Sequence, residues 1–430
     1  MKHYIQLSLA ILIAIGCKST QTGNIILSDD KPTALETIPD SLYSGNGPLN
    51  EADLASDTQK RRMVSWNILE QVLAPTKGQN TGFEAIGSPT PVWQTWYSKK
   101  DIVGMLEKIA PTMEATDKGL TLKEAKHILE GHKRSKSPDF DPASIKKFNF
   151  EFVPASYNRD YVLHILTHFK SISACQHITS YPADAEVEFP CFQFPETAVM
   201  MKTSWKEVNS QDMTLDFDSQ SLDANAIRSI LEKNTTWSYS IPSKLTPQNS
   251  YMVKDPDTGL VWALTGLHVV TKEIKDWVWV TLAWQADSLN TIGFGSDRPA
   301  SLKGSIWQNY VMMASVSNEE KAQDPNIGAQ GKALFPEFVE NNPFNKFKDG
   351  SGNKVTFNSN PYIELFDSTS NCIGCHEGQF SPLKVNLEIR RKNFPYDYTY
   401  GTQHSNSVTH PRVSFRDAID KAAAKFSQNN

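Results

Sequence analysis

The segment Asp276 to Trp284 (DWVWVTLAW) constrains the fold most. In an extended chain Trp277, Trp279 and Thr281 fall on one side, and Val278, Val280 and Leu282 on the other. Both sides are bulky, so the spacing predicts a strand buried on both faces. Similar segments precede it: EVEFPCFQF (186–194), TAVMMKTSW (197–205) and GLVWALTGLHVVTK (259–272). Each is rich in β-branched and aromatic residues and bounded by turn formers, with Asp255, Asp257 and Gly259 marking one turn. A short helix is expected between strands, from Asn225 to Asn234.

The flanks differ from this region. Met63, Trp66, Ile68, Leu69, Val72 and Leu73 recur at helical spacing, and Pro75 and Gly78 end that run. Further helices are expected over 99–115, bent or stopped near Pro111, over 121–133 with Thr121 and Glu124 as a capping box, and over 157–170. The polar stretch 134–142 reads as a linker. Beyond residue 325 the chain is loop-rich, with an expected hairpin at Asp349 to Asn353, a strand at Tyr362 to Phe366 and a terminal helix over 414–427. The expected fold class is α+β: an N-terminal helical region (51–135), an antiparallel β-rich central domain (143–310), and an irregular C-terminal segment with a terminal helix (311–430).

Residues 1–16 read as a signal peptide rather than structure. Lys2 and His3 precede an apolar run from Ile5 to Ile15, too short to span a bilayer. Ala14-Ile15-Gly16-Cys17 resembles a bacterial lipobox, which implies that Cys17 is lipidated and becomes the first mature residue. Lys18 follows where retention in the inner membrane would call for Asp, so the resemblance implies the outer membrane, with the protein facing the periplasm. Residues 17–50, rich in Ser, Thr, Asn, Gly and Pro, read as a flexible tether. A formal net charge of −5 without a basic patch excludes a nucleic-acid partner. The membrane is reached through the N-terminal lipid.

Cys372-Ile373-Gly374-Cys375-His376 is the strongest chemical signal. Two thiols three positions apart can each add to one vinyl group of a single porphyrin, and the following imidazole can take the iron as proximal ligand. One haem c is therefore expected. Zinc is the rival reading, but two further ligands at similar local spacing are missing. The chain has five cysteines. Lipidation uses Cys17 and the haem uses Cys372 and Cys375, leaving Cys175 and Cys191 as a candidate disulfide in an oxidising compartment or as two separate buried thiols. No methionine follows His376. Distal ligand candidates are His404, His410 and His268, with Met200, Met201, Met312 and Met313 also upstream; otherwise the site stays open. His164 and His168, four apart, read as surface histidines, with metal binding as the alternative.

Phe194-Pro195 followed by Lys202 and Trp205, then Gly266-Leu267-His268, Lys272 and the Trp277–Thr281 run, resemble an uncharacterised family of bacterial cytochrome c proteins with FP…KxxW and GLHxxxK…WxWxT signatures. The resemblance covers roughly 190–290, with the haem motif following. Where members carry an acidic residue and an Asn after WxWxT, this chain has Ala283, Trp284 and, later, Asn290. Lys202 and Lys272 are expected to point outward, while His268 either does so or enters a tryptophan-walled pocket as acid/base or iron ligand. A β domain followed by a late haem motif also resembles the order in β-sheet cytochromes that oxidise hydroxylamine or bind nitric oxide.

Three functions follow from these readings. The first is electron transfer with a redox partner protein through a six-coordinate haem. The second is a haem enzyme with an open iron site acting on a small nitrogen compound or peroxide. The third is a ligand-binding or sensor module in which the haem is structural.

Overall fold

The computed structural model describes residues 49–76, 82–135, 154–176, 193–220, 240–274, 277–289, 297–316, 359–364 and 415–427. Its architecture is mixed α+β, built on a curled antiparallel sheet of eight strands. These are β1 (Glu84–Ile86), β2 (Tyr97–Ser98), β3 (Ala155–Tyr157), β4 (Val199–Val208), β7 (Met252–Lys254), β8 (Val261–Thr271), β9 (Val278–Trp284) and β10 (Tyr310–Val316). Strands β5 (Leu215–Gln220) and β6 (Ser240–Leu245) form a separate two-stranded ribbon. The helices are α1 (Glu51–Ser56), α2 (Thr58–Val72), α3 (Lys99–Glu107), α4 (Leu122–Glu130), α5 (Arg159–Gln176) and α6 (Phe415–Ser427).

Strand β8 is the axis of the sheet. One edge pairs along its whole length with β4. The other edge is shared: β7 pairs with Val261–Ala263, and β9 pairs with Gly266–Thr271. The sheet therefore forks at Leu264–Thr265, opposite a register shift between Ser204 and Trp205 of β4. Backbone groups at a fork lose their ladder partners, and side chains take that role. Tyr310 Oη donates to Leu264 O at 2.8 Å, and Trp284 Nε1 donates to Asn249 O at 2.7 Å. Every residue of β8 and β9 is buried, as the two bulky faces of β9 imply for that strand.

Cross-strand register assigns the faces. One row runs Tyr157, Met200, Val270, Trp279, Ser315 across β3, β4, β8, β9 and β10. Its first four members join a core with α3, α4, α5 and α6, through Ile102, Leu106, Ile128, Tyr161, Phe169 and Ile419. Helices α1 and α2 pack against β10, α2 also against β9, and both lie outside that cluster. Arg62 of α2 braces the contact: its Nε lies 2.6 Å from Asp297 Oδ2, and its Nη1 donates to Met312 O at 2.9 Å.

Several helix ends follow from local chemistry. Ser98 and Asp101 form a reciprocal capping box at the start of α3. The helix stops at Glu107, where Pro111, four residues on, has no N–H to continue the helical bonding to Glu107 O. Thr121 caps α4 by accepting from Glu124 N at 3.4 Å. Asn158 Oδ1 accepts from both Tyr161 N and Val199 N at 3.0 Å, tying the start of α5 to β4.

Other expectations need revision. Met63, expected in the α2 stripe, is 53% exposed. The region expected to be helical (51–135) contributes two strands, because β1 pairs with β7 and β2 with β3. Strand β10 continues past residue 310 to Val316. Tyr362–Glu364, expected to open a strand, lie in a turn in which Ile363 N and Glu364 N both donate to Asn360 O. The expected helix at 225–234 and hairpin at 349–353, and the strand 186–194 up to residue 192, lie outside the described residues. So do residues 1–48, with the expected signal peptide and most of the tether.

Candidate functional site

The signature residues converge on β4, β8 and β9. Lys202, His268 and Thr281 form a single cross-strand row, flanked by Ala155 and Met313. This polar row lies between the aromatic row under the helices and a row of small residues, Ser204, Gly266 and Ala283. Alternation along each strand puts all three rows on one face.

A short segment from far along the chain covers the small row. Ser359 and Asn360 are fully buried, and Tyr362 is nearly so. Asn360 Nδ2 donates to Leu282 O at 2.9 Å, and Asn360 Oδ1 accepts from Tyr362 N at 3.0 Å. Tyr362 Oη donates to Trp284 O at 2.9 Å and accepts from Gln220 N of β5 at 3.2 Å. Asn360 N donates to Glu364 Oε2 at 2.7 Å. The same Glu364 oxygen lies 3.4 Å from His268 Nε2, too poorly aligned for a hydrogen bond although the imidazole is only 8% exposed. His268 is thus turned inward, against a carboxylate that no signature motif contains.

Lys272 also departs from the outward reading. It is 4% exposed, and its Nζ lies 5.2 Å from the centroid of the Trp277 ring. A lysine stem can cover apolar surface while its ammonium meets an aromatic face. Trp277 has φ +68°, a conformation rare for a bulky residue, held by packing against Phe194 at 5.8 Å. Phe194 in turn stacks on Tyr161 at 4.2 Å. Lys202 is half-buried directly opposite His268.

His164 and His168 are not ordinary surface histidines. Their rings stack at 4.0 Å, and His164 is buried beside Phe194. Burial, then the neighbouring His168 and Lys118, lowers the His164 pKa to about 3. Burial likewise lowers that of His168. The methionine candidates divide between faces: Met200 and Met313 share the His268 face, while Met201 and Met312 lie on the other. Cys175 is 6% exposed and disulfide-bonded. Its expected partner Cys191, together with Cys17, Cys372, Cys375, His376, His404 and His410, lies outside the described residues. Among the described residues no group of three or more His, Cys, Asp or Glu could hold a metal ion.

Sequence reasoning found His268 through its signature but missed Asn360 and Glu364. The one local signal was Asn360-Pro361, a turn-initiating dipeptide. No family model matches the chain, and no curated protein or solved structure shows significant similarity to it.

Proposed function

We propose that the chain is an exported lipoprotein, anchored through Cys17 in the outer membrane and facing the periplasm, that transfers electrons through one covalent haem c. The observation that carries this reading is the sequence Cys372-Ile373-Gly374-Cys375-His376. The donor set suits the group: two thiols for the vinyl additions and one imidazole for the iron. When bound, the haem supplies a one-electron couple. In this reading residues 311–430 are the haem-binding segment, and Cys175 and Cys191 form the disulfide.

Two features of the fold support the reading. The turn ending at Glu364 is bolted to the sheet, and Cys372 follows eight residues later. Glu364 also meets a buried imidazole whose Nε2 has no hydrogen bond.

The test is optical. Protein produced with haem-c maturation should retain its haem through acid–acetone extraction, and its reduced spectrum should be low-spin and unaltered by carbon monoxide. Loss of the haem on extraction would defeat the cofactor assignment. Avid carbon monoxide binding would defeat electron transfer as the main role.

A further inference from the structure

We propose that a pocket between the end of α2 and the loop before β10 binds a small organic cation, an ammonium group carried on an apolar, ring-sized body. The proposal is independent of the haem reading, and the pocket shares no lining residue with the Lys202–His268–Thr281 row. Its volume is about 680 Å³, inside the range of roughly 300–1,000 Å³ usual for small-molecule sites. Its walls hold their shape through bonds of their own. Val92 N donates to Ala74 O at 2.9 Å and Thr76 N to Thr90 O at 2.8 Å, which ties the end of α2 to the segment after β1. Gly87, at φ +74°, brings that segment against Pro247: a Cβ there would lie 2.7 Å from Pro247 O. On the far side Trp307 stacks on Tyr251 at 5.5 Å, and its N–H donates to Ser305 Oγ at 3.2 Å. Ser305 Oγ in turn donates to Leu302 O at 2.8 Å.

The lining chemistry selects the ligand. Leu73, Pro75, Pro89, Pro247, Ile306 and Trp307 give stiff apolar walls suited to a flat ring. Among the described residues that line the pocket, Glu70 alone carries a formal charge. Its Oε1 accepts from Ser301 Oγ, and among the described residues its carboxylate makes no ion pair. Helix α2 ends beside it with no basic residue in the last turn. The carbonyl end of a helix carries negative partial charge, which adds to that of the carboxylate and favours a cation. An anion would meet repulsion from both. A neutral ring would fill the apolar walls and leave the carboxylate without a counter-charge. An ammonium ligand satisfies both parts, donating to Glu70 in a charge-assisted bond while its body displaces water from the prolines and Trp307.

The experiment is isothermal titration of the full-length protein with three probes of one shape: 2-phenylethylamine, 2-phenylethanol and phenylacetate. The amine is expected to bind the wild type saturably at a single site, with the alcohol weaker and the acid weakest. Glu70→Gln keeps an acceptor for Ser301 Oγ and removes the charge. It should weaken the amine by about tenfold or more, as expected for loss of a hydrogen bond to a charged group, and leave the alcohol unchanged. Gln248→Trp, at an exposed position on the pocket wall, narrows the site with Glu70 intact and should weaken amine and alcohol alike. It decides the matter if Glu70→Gln does not fold: unchanged amine affinity there would place the binding elsewhere and overturn the proposal. Absence of saturable amine binding to the wild type would overturn it, as would equal affinity for amine and acid or an amine affinity untouched by Glu70→Gln. None of these outcomes bears on covalent haem, so the two proposals fail separately.

Discussion

The space that a side chain at Gly266 would fill is taken by the amide of Asn360, at 2.8 Å from the Cβ position. Two residues far apart in sequence therefore share one volume. Gly266→Ala should destabilise the protein by about 1–3 kcal/mol, the usual cost of overpacking a dense interior. Urea unfolding measures this as a lower midpoint at unchanged slope. A midpoint equal to wild type would mean that the turn yields at no cost, against its full burial.

Asp101 collects the donors of two chain segments. Its oxygens accept from Ser98 N and Ser98 Oγ at 2.8 Å, Ser135 N at 2.6 Å, Ser135 Oγ at 2.9 Å and His132 Nε2 at 2.9 Å. With Lys108 Nζ 3.4 Å from His132 Nδ1, the imidazole accepts there and donates to the carboxylate. An Asn at this position would turn an NH2 group toward donors in a site only 1% exposed. Asp101→Asn should cost about 2–4 kcal/mol, the penalty for buried hydrogen-bonding groups left unmatched. Thermal unfolding with calorimetric enthalpies would register it, and a change within about 0.5 kcal/mol, normal for an exposed site, would contradict the arrangement.

His164 makes stability depend on pH in a definite direction. Its folded pKa of about 3 lies below the ordinary histidine value near 6.5, because burial disfavours the charged ring. The unfolded chain therefore binds the proton more readily. The contribution is complete above about pH 6.5 and is lost as pH falls toward 3, at about 1.4 kcal/mol per pH unit for one proton. His164→Phe retains an aromatic ring beside Phe194 and removes this slope. The wild type should lose stability faster than the variant between pH 6.5 and pH 4 in urea titrations. Parallel curves would refute the assignment.

The parts of the fold that could be read in the sequence are those whose local pattern agrees with their environment. Strand β9 announces itself because both faces are bulky, and it is buried throughout. Strand β10 does not: Met312, Met313, Ala314 and Ser315 have weak β preference, and the strand exists through its pairing with β9. Strands β1, β2 and β3 are too short to establish a period of two. The site divides in the same way. His268 sits in a recognisable signature, whereas Glu364 and Asn360 reach it through a turn whose Tyr362-Ile363-Glu364 sequence resembles a strand. Tertiary hydrogen bonds at the fork override that local preference, and no pattern within a short window encodes them.

Cys17 offers a prediction independent of the sheet. The apolar run Ile5–Ile15 is too short for a membrane span, and among the described residues no helix is long and apolar enough to cross a bilayer. In the lipoprotein reading, attachment therefore depends on acyl chains, each buried methylene contributing about 0.8 kcal/mol. Cells fed labelled palmitate should incorporate it into the wild-type chain and not into Cys17→Ser. The mature wild-type mass should correspond to a chain beginning at Cys17 plus its acyl groups. Covalent haem should be equal in the two proteins, because Cys372, Cys375 and His376 are unchanged and attachment needs only those side chains. Palmitate in the serine variant would move the lipid elsewhere, and an unlabelled wild type would remove the anchor from the proposal while leaving the redox assignment to stand on its own test.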